Sequence, residues 1–257
     1  MDTTQTITYE TPFNEHMRFC LRMEQLFQHI EEHLMVDSIP NAETTIETII
    51  EVAYLLDRPD LKSLVTKELI RYQTQLSRLH QLPHIDQSKL ANILVELEHI
   101  IEQFQTNNNK LGQRLRENDF LSALRVHRLN PGGICHFEIP AYHRWLYRPH
   151  AERIEQLTAW YEEIKIMGDA ARLMLQLVRN SNDSEDKVAE TGLYQQSLDP
   201  KAPFQIARVS LPIDSPVHPQ ISVGRHRMSI QFFMADMQNK PKPTNNKINF
   251  KLTNCIF

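Results

Sequence analysis

Arg227-Met228-Ser229-Ile230-Gln231-Phe232-Phe233-Met234 decides the architecture. Side chains of a strand point alternately to its two sides, so Met228, Ile230, Phe232 and Met234 share one face and Arg227, Ser229 and Gln231 the other. That pattern predicts a half-buried strand with an apolar inner face and a polar outer one. The C-terminal run repeats it, with Ile248, Phe250 and Leu252 inward and Lys251 outward. Two further strands are predicted at Gly192 to Ser197 and Phe204 to Ile213, separated by turns rich in proline or asparagine. Asn180 to Lys187, polar and acidic, reads as a loop.

Upstream the period changes to that of helices. Phe19, Met23, Leu26, Ile30 and Leu34 form a stripe over Asn14 to Leu34, with Met17, Cys20 and Leu21 on a second face. A helix over Ala42 to Leu56 buries Ile46, Ile49, Ile50, Ala53 and Leu56, and Arg58-Pro59 breaks it because the residue before proline avoids the α region. The next helix starts at Pro59 and stops near Pro83. Another is capped by Asp86 and ended by Asn107-Asn108-Asn109. Helices are also expected over Leu111 to Arg128, Ala141 to Tyr147, onward from Pro149, and over Met167 to Arg179. Two short β segments interrupt this order, Thr6 to Glu10 and, after the turn Asn130-Pro131-Gly132-Gly133, Ile134 to Ile139, whose Cys135, Phe137 and Ile139 alternate with His136 and Glu138. The expected class is α+β. A helical domain takes residues 14–129 and 141–180. A smaller antiparallel β domain takes residues 1–13, 130–140 and 190–257, from N-terminal, middle and C-terminal segments interleaved with the helices.

Composition narrows the function. A net charge of −4 disfavours a general nucleic-acid binder, which needs a positive excess against phosphates. Cys20, Cys135 and Cys255 are odd in number and far apart, so no disulfide framework is expected and a reducing compartment is. The first 13 residues lack the basic and apolar regions of a signal peptide, and no run of about 18 apolar residues predicts a membrane span. His29 and His33 stand four apart, the spacing of two ligands on one helix face. The run His29-Ile30-Glu31-Glu32-His33 nevertheless lacks the His-Glu-x-x-His order, and no third ligand is identifiable nearby, so it reads as a solvated helix face and no metal is expected. Cys135 reads as a buried strand residue rather than a nucleophile. The outer faces of the last strands, with Arg225, Arg227 and Lys251, read as one open basic face in an acidic chain, suited to docking an acidic or mixed-charge peptide. The alternative is a nucleic-acid-binding regulator using the helical domain through Arg114, Arg116, Arg125 and Arg128.

Several runs together resemble the Z-ring-associated protein D (ZapD) family of bacterial cell-division factors. They are Phe13-Asn14-Glu15-His16-Met17-Arg18 with Leu21-Arg22-Met23-Glu24, then Lys67-Glu68-Leu69, then Pro131-Gly132-Gly133-Ile134-Cys135-His136-Phe137-Glu138-Ile139-Pro140 with His143 and Trp145-Leu146, and Pro219-Gln220-Ile221-Ser222. They lie in order and span nearly the whole chain. The resemblance implies a helical and a β domain, a homodimer formed mainly through helices, and binding of the C-terminal tail of FtsZ. It further implies bundling of FtsZ filaments, no catalysis, no cofactor, no nucleic acid, no membrane insertion, and a cytoplasmic place at the mid-cell division ring. It also implies a peptide-binding set of Arg58, His143 and Arg227, with Arg225 beside them. The position four after Arg227, commonly basic in the family, is Gln231 here, with Arg225 or Lys251 as possible replacements for its charge.

Overall fold

The computed structural model describes residues 5–81, 86–106, 110–130, 133–135, 137–236 and 238–257. The expected stop at Pro83, the Asn107-Asn108-Asn109 terminus, the Pro131-Gly132 half of the turn and His136 lie outside the described residues. The chain divides into two units, Arg22–Leu173 and Met1–Leu21 with Met174–Phe257, and both divisions fall inside helices.

The helices are α1 (Glu15–Leu34), α2 (Ile39–Leu55), α3 (Leu61–Ser77), α4 (Gln87–Thr106), α5 (Gln113–Arg116), α6 (Asp119–His127), α7 (Pro140–Leu146), α8 (His150–Glu162) and α9 (Lys165–Arg179). Their starts are set by side chains that satisfy the free N–H groups of the first turn. Asn14 Oδ1 accepts from Met17 N at 2.8 Å, Ser38 Oγ from Asn41 N at 3.1 Å, and Asp86 Oδ1 from Ser88 N and Lys89 N at 3.1 and 3.0 Å. Asn118 does the same for Leu121 N at 3.0 Å, and this cap splits the single helix expected over Leu111 to Arg128 into α5 and α6.

The buried stripe of α1 is Met17, Cys20, Met23, Phe27, Ile30 and Leu34, while Phe19 and Leu26 are half-buried beside it. The two faces expected from the sequence are thus largely one winding seam. In the Arg22–Leu173 unit, a Cβ on Gly168 of α9 would lie 2.6 Å from the Phe27 ring, so the missing side chain is what admits that ring. Phe120, Tyr142, Trp145 and Trp160 gather with ring centroids 6.1–6.3 Å apart, and Trp145 Nε1 donates to Gln156 Oε1 at 3.0 Å.

The other unit holds β1 (Thr6–Pro12), β2 (Glu185–Ala189), β3 (Leu193–Ser197), β4 (Phe204–Pro212), β5 (Val217–Val223), β6 (Arg227–Met234) and β7 (Ile248–Ile256). They make a four-stranded sheet in the order β1-β4-β7-β2 and a three-stranded sheet in the order β3-β6-β5, with antiparallel pairing throughout. Ala207, Val209, Phe250 and Leu252 of the first and Met228, Ile230 and Phe232 of the second share one core, so the sheets pack face to face. Glu10 of β1 accepts from Arg179 Nε and Nη2 at 2.9 and 2.7 Å, a forked pair that anchors β1 to the end of α9.

The α+β class holds, with four further differences from the sequence reading in the turns and strands. First, the described residues of Ile134 to Ile139 form no strand: the Glu138 carboxylate accepts from Cys135 N at 3.1 Å and Asn130 Nδ2 at 2.7 Å, which ties it back to both. Those same bonds hold its carboxyl below the usual carboxylate range. Phe137 is therefore 72% exposed and Cys135 half-buried, not inward on a strand. Second, the expected loop Asn180 to Lys187 ends in β2, whose charged residues suit a sheet edge. Third, β5 was hidden by Pro219, which an edge strand tolerates because one side of its backbone makes no ladder bonds; Pro12 sits likewise in the edge strand β1. Fourth, Met228, Ile230 and Phe232 are fully buried as expected, but Met234 at the strand end is 40% exposed.

Candidate functional site

The outer face of the three-stranded sheet is the basic surface the sequence pointed to. Across it, Ser197 lies opposite Arg227, Gln195 and Ser222 flank Ser229, and Leu193 and Gln220 flank Gln231. Phe233 stacks on His218 with centroids 6.0 Å apart and planes 21° from parallel. Gly224 N donates to Arg227 O at 3.0 Å and closes a tight turn with Arg225 and His226 at its tip. None of the three strands carries an Asp or Glu. Arg225 and Arg227, both exposed, therefore stand at one end of a neutral polar face without a carboxylate in these strands.

Gln231 is tied to the backbone instead of being presented to a ligand. Its Nε2 donates to Gly192 O at 3.0 Å and Phe232 O at 3.3 Å. Lys251 lies in β7, opposite Asp186 and Ser210. Its neighbours Phe250 and Leu252 enter the shared core from the other sheet, so Lys251 points away on the opposite side of the sandwich from Arg227. The one open face expected from the sequence is two faces, because the strands belong to two sheets.

Arg58 and His143 belong to the Arg22–Leu173 unit. Arg58 sits in the α2–α3 turn with Asp60 at 3.7 Å, both side chains more than half exposed, a pair worth about 0–1 kcal/mol and readily exchanged. His143 is exposed on α7, its ring 5.0 Å from that of Tyr147, while Trp145 two residues on is buried.

The arginines of the nucleic-acid reading have other roles. Arg114 pairs with Glu163 at 3.0 Å, Arg128 with Glu51 at 3.5 Å, and Arg125 lies 3.8 Å over the Tyr54 ring. Arg116 is only 10% exposed; its Nη1 donates to Ala53 O and Leu111 O, each at 2.7 Å, and its Nε lies 3.4 Å from Asp57. It ties the end of α2 to the start of α5. Arg116→Ala is expected to lower stability by about 2–3 kcal/mol, because two partly buried carbonyls lose a charged donor. Lysine should not restore it, since an ammonium lacks the planar fork. Thermal or denaturant unfolding of the two variants checks this; a melting temperature unchanged in Arg116→Ala would refute the clamp.

Cys20 and Cys255 are buried, and burial pushes the Cys255 thiol up to about 11. Among the described residues no helix is long and apolar enough to cross a membrane.

Comparison with known proteins identifies the family. The profile of the family described as "ZapD: Cell division protein" matches residues 21–231. A cell division protein ZapD of Coxiella burnetii is 36% identical over 252 residues, covering 97% of this chain and 98% of its own length. That of Methylococcus capsulatus is 31% identical over 251 residues, 98% of each chain. That of Ralstonia pickettii is 33% identical over 252 residues, 98% of this chain and all of its own. With a family profile spanning most of its length and relatives matched nearly end to end, this chain belongs to the ZapD family of cell division proteins.

Proposed function

We propose that the chain is a cell-division adaptor. It binds the C-terminal tail of FtsZ and, as a homodimer, cross-links FtsZ filaments into bundles that stabilise the division ring in the cytoplasm at mid-cell. The observation that carries this reading is the outer face of β3, β6 and β5, whose strands hold no carboxylate and which has Arg227 and the neighbouring Arg225 at one end, in a chain of net charge −4. An extended peptide can lie across such a face, with the arginines selecting its acidic groups and setting register and on-rate. Exposed arginine contacts give modest affinity for one tail. Two sites in one dimer raise the effective affinity for a filament carrying many tails, with no new contact. Arg58 and His143 are further contacts in this reading, each testable by its own substitution.

The regulator reading is weaker, because Arg114, Arg116, Arg125 and Arg128 already engage carboxylates, carbonyls or a ring of this chain.

Fluorescence anisotropy of a labelled FtsZ tail peptide tests the binding. Affinity should fall by about tenfold as the screening length shortens from about 10 Å at 0.1 M to about 3 Å at 1 M salt. Peptide affinity indifferent to salt would show that the arginine face does not hold the tail.

A further inference from the structure

We infer that His29, Glu32 and His33 of α1 form a site for a divalent transition-metal ion, with zinc as the fitting probe. One ligand atom from each of the three lies within 4.8 Å of the other two. Positions i, i+3 and i+4 fall on one face of a helix, so the arrangement is set by the backbone of α1 and needs no distant segment to assemble. Two imidazoles and a carboxylate are a donor set that zinc takes with water in its remaining position. The His-Glu-x-x-His order, which places the carboxylate next to the first histidine, does not describe this cluster. Here it is Glu32, adjacent to the second, that turns onto the shared face.

A second observation is independent of the cluster itself. His33 Nδ1 is hydrogen-bonded to Asn41 Oδ1 of α2. With the Asn41 amide oxygen facing the ring, Nδ1 is the donor and Nε2 keeps its lone pair for a ligand. An outer partner that fixes the tautomer and ring direction of a ligating histidine is a regular part of metal sites. Asn41 is itself held, because its side-chain amide nitrogen lies 2.5 Å from Ser38 Oγ. Glu32 Oε1 accepts from Gln28 Nε2 at 2.7 Å, which leaves Oε2 for the ion. The neighbouring Glu31 takes no part, being held by Arg172 and Tyr161. Ions bound here join α1 to the first turn of α2 through the His33–Asn41 bond.

The test is competition for Zn²⁺ between the tag-free full-length chain and a chromophoric chelator. The expected result is one equivalent of Zn²⁺ bound per chain at micromolar concentration, abolished in His29→Ala/His33→Ala and weakened in Glu32→Gln. Asn41→Ala, which removes no ligand, should weaken binding by about tenfold or more through loss of ring orientation. These side chains lie on an exposed or half-buried surface, and circular dichroism of each variant verifies that it is folded. Absence of Zn²⁺ uptake by the parent chain overturns the site. So does uptake that survives the double substitution, which would place the ion on other histidines among the twelve. Both outcomes are independent of whether the chain binds FtsZ.

Discussion

Arg227→Glu is expected to abolish FtsZ bundling while leaving the fold intact. Arg227 opens β6 on its outer face, opposite Ser197, and is exposed. Its inward neighbour Met228 is fully buried and unaffected by a change on the other side of the strand. The reversal removes an attraction and adds a repulsion at the end of a face whose strands otherwise hold uncharged side chains and no carboxylate. About 2 kcal/mol or more of tail-binding free energy should go, roughly thirtyfold in affinity. In the proposed adaptor two tails must be held at once for bundling, so the loss would compound across a dimer and filaments should remain single. Light scattering of polymerised FtsZ, read beside the thermal melt of the variant, measures both. A folded Arg227→Glu protein that bundles at the parent level would remove the sheet face from the account. Lys251→Glu is the control: it lies on the other side of the sandwich and should leave bundling unchanged.

The largest effect on stability is expected from Gly192→Ala. Gly192 has φ +70°, a conformation that costs a residue with a side chain about 1–3 kcal/mol. A Cβ there would also lie 1.9 Å from the carbonyl oxygen of Thr244, so backbone must move. That contact exists because 242–244 continues the edge of the sheet beyond β3. Met234 N donates to Lys242 O, Thr244 N donates to Phe232 O, each at 3.0 Å, and Pro243 pairs with Phe233. Gly192 O in turn accepts from Phe232 N at 2.8 Å and Gln231 Nε2 at 3.0 Å. Displacing it loosens three segments together, and a loss of about 3–4 kcal/mol follows from strain plus broken pairing. Gly133→Ala separates the two causes. Gly133 has φ +72° but nothing within 4 Å of its missing Cβ, so only the backbone cost, about 1 kcal/mol, applies. Denaturant unfolding of both variants measures the difference; equal losses would show that the Thr244 contact carries no weight.

Local periodicity was legible, and tertiary choices were not. The alternation from Arg227 to Met234 located β6, and Asp86 located the start of α4. Those signals depend on residues near in sequence. The assignment of β6 and β7 to different sheets does not, because alternation reports which side of a strand is apolar and is silent about which strand lies beside it. Lys251 was grouped with Arg227 for that reason. The segment from Ile134 to Ile139 alternates as a strand would, yet Glu138 bonds back to Asn130 and Cys135 instead of entering a sheet. Pro219 concealed β5 because the sequence does not say which strand will be an edge. At the site, the position where a basic residue was expected holds a glutamine whose amide fastens Gly192, a role visible only once β3 and β6 are paired.

The central claim is that the flexible tail of FtsZ, not the body of its filament, is what this protein grips. Co-sedimentation with FtsZ filaments that are intact or trimmed of the C-terminal tail tests it most directly. The protein should pellet with the intact filaments and draw them into bundles, and should stay in the supernatant with the trimmed ones. Equal pelleting with both would contradict the account.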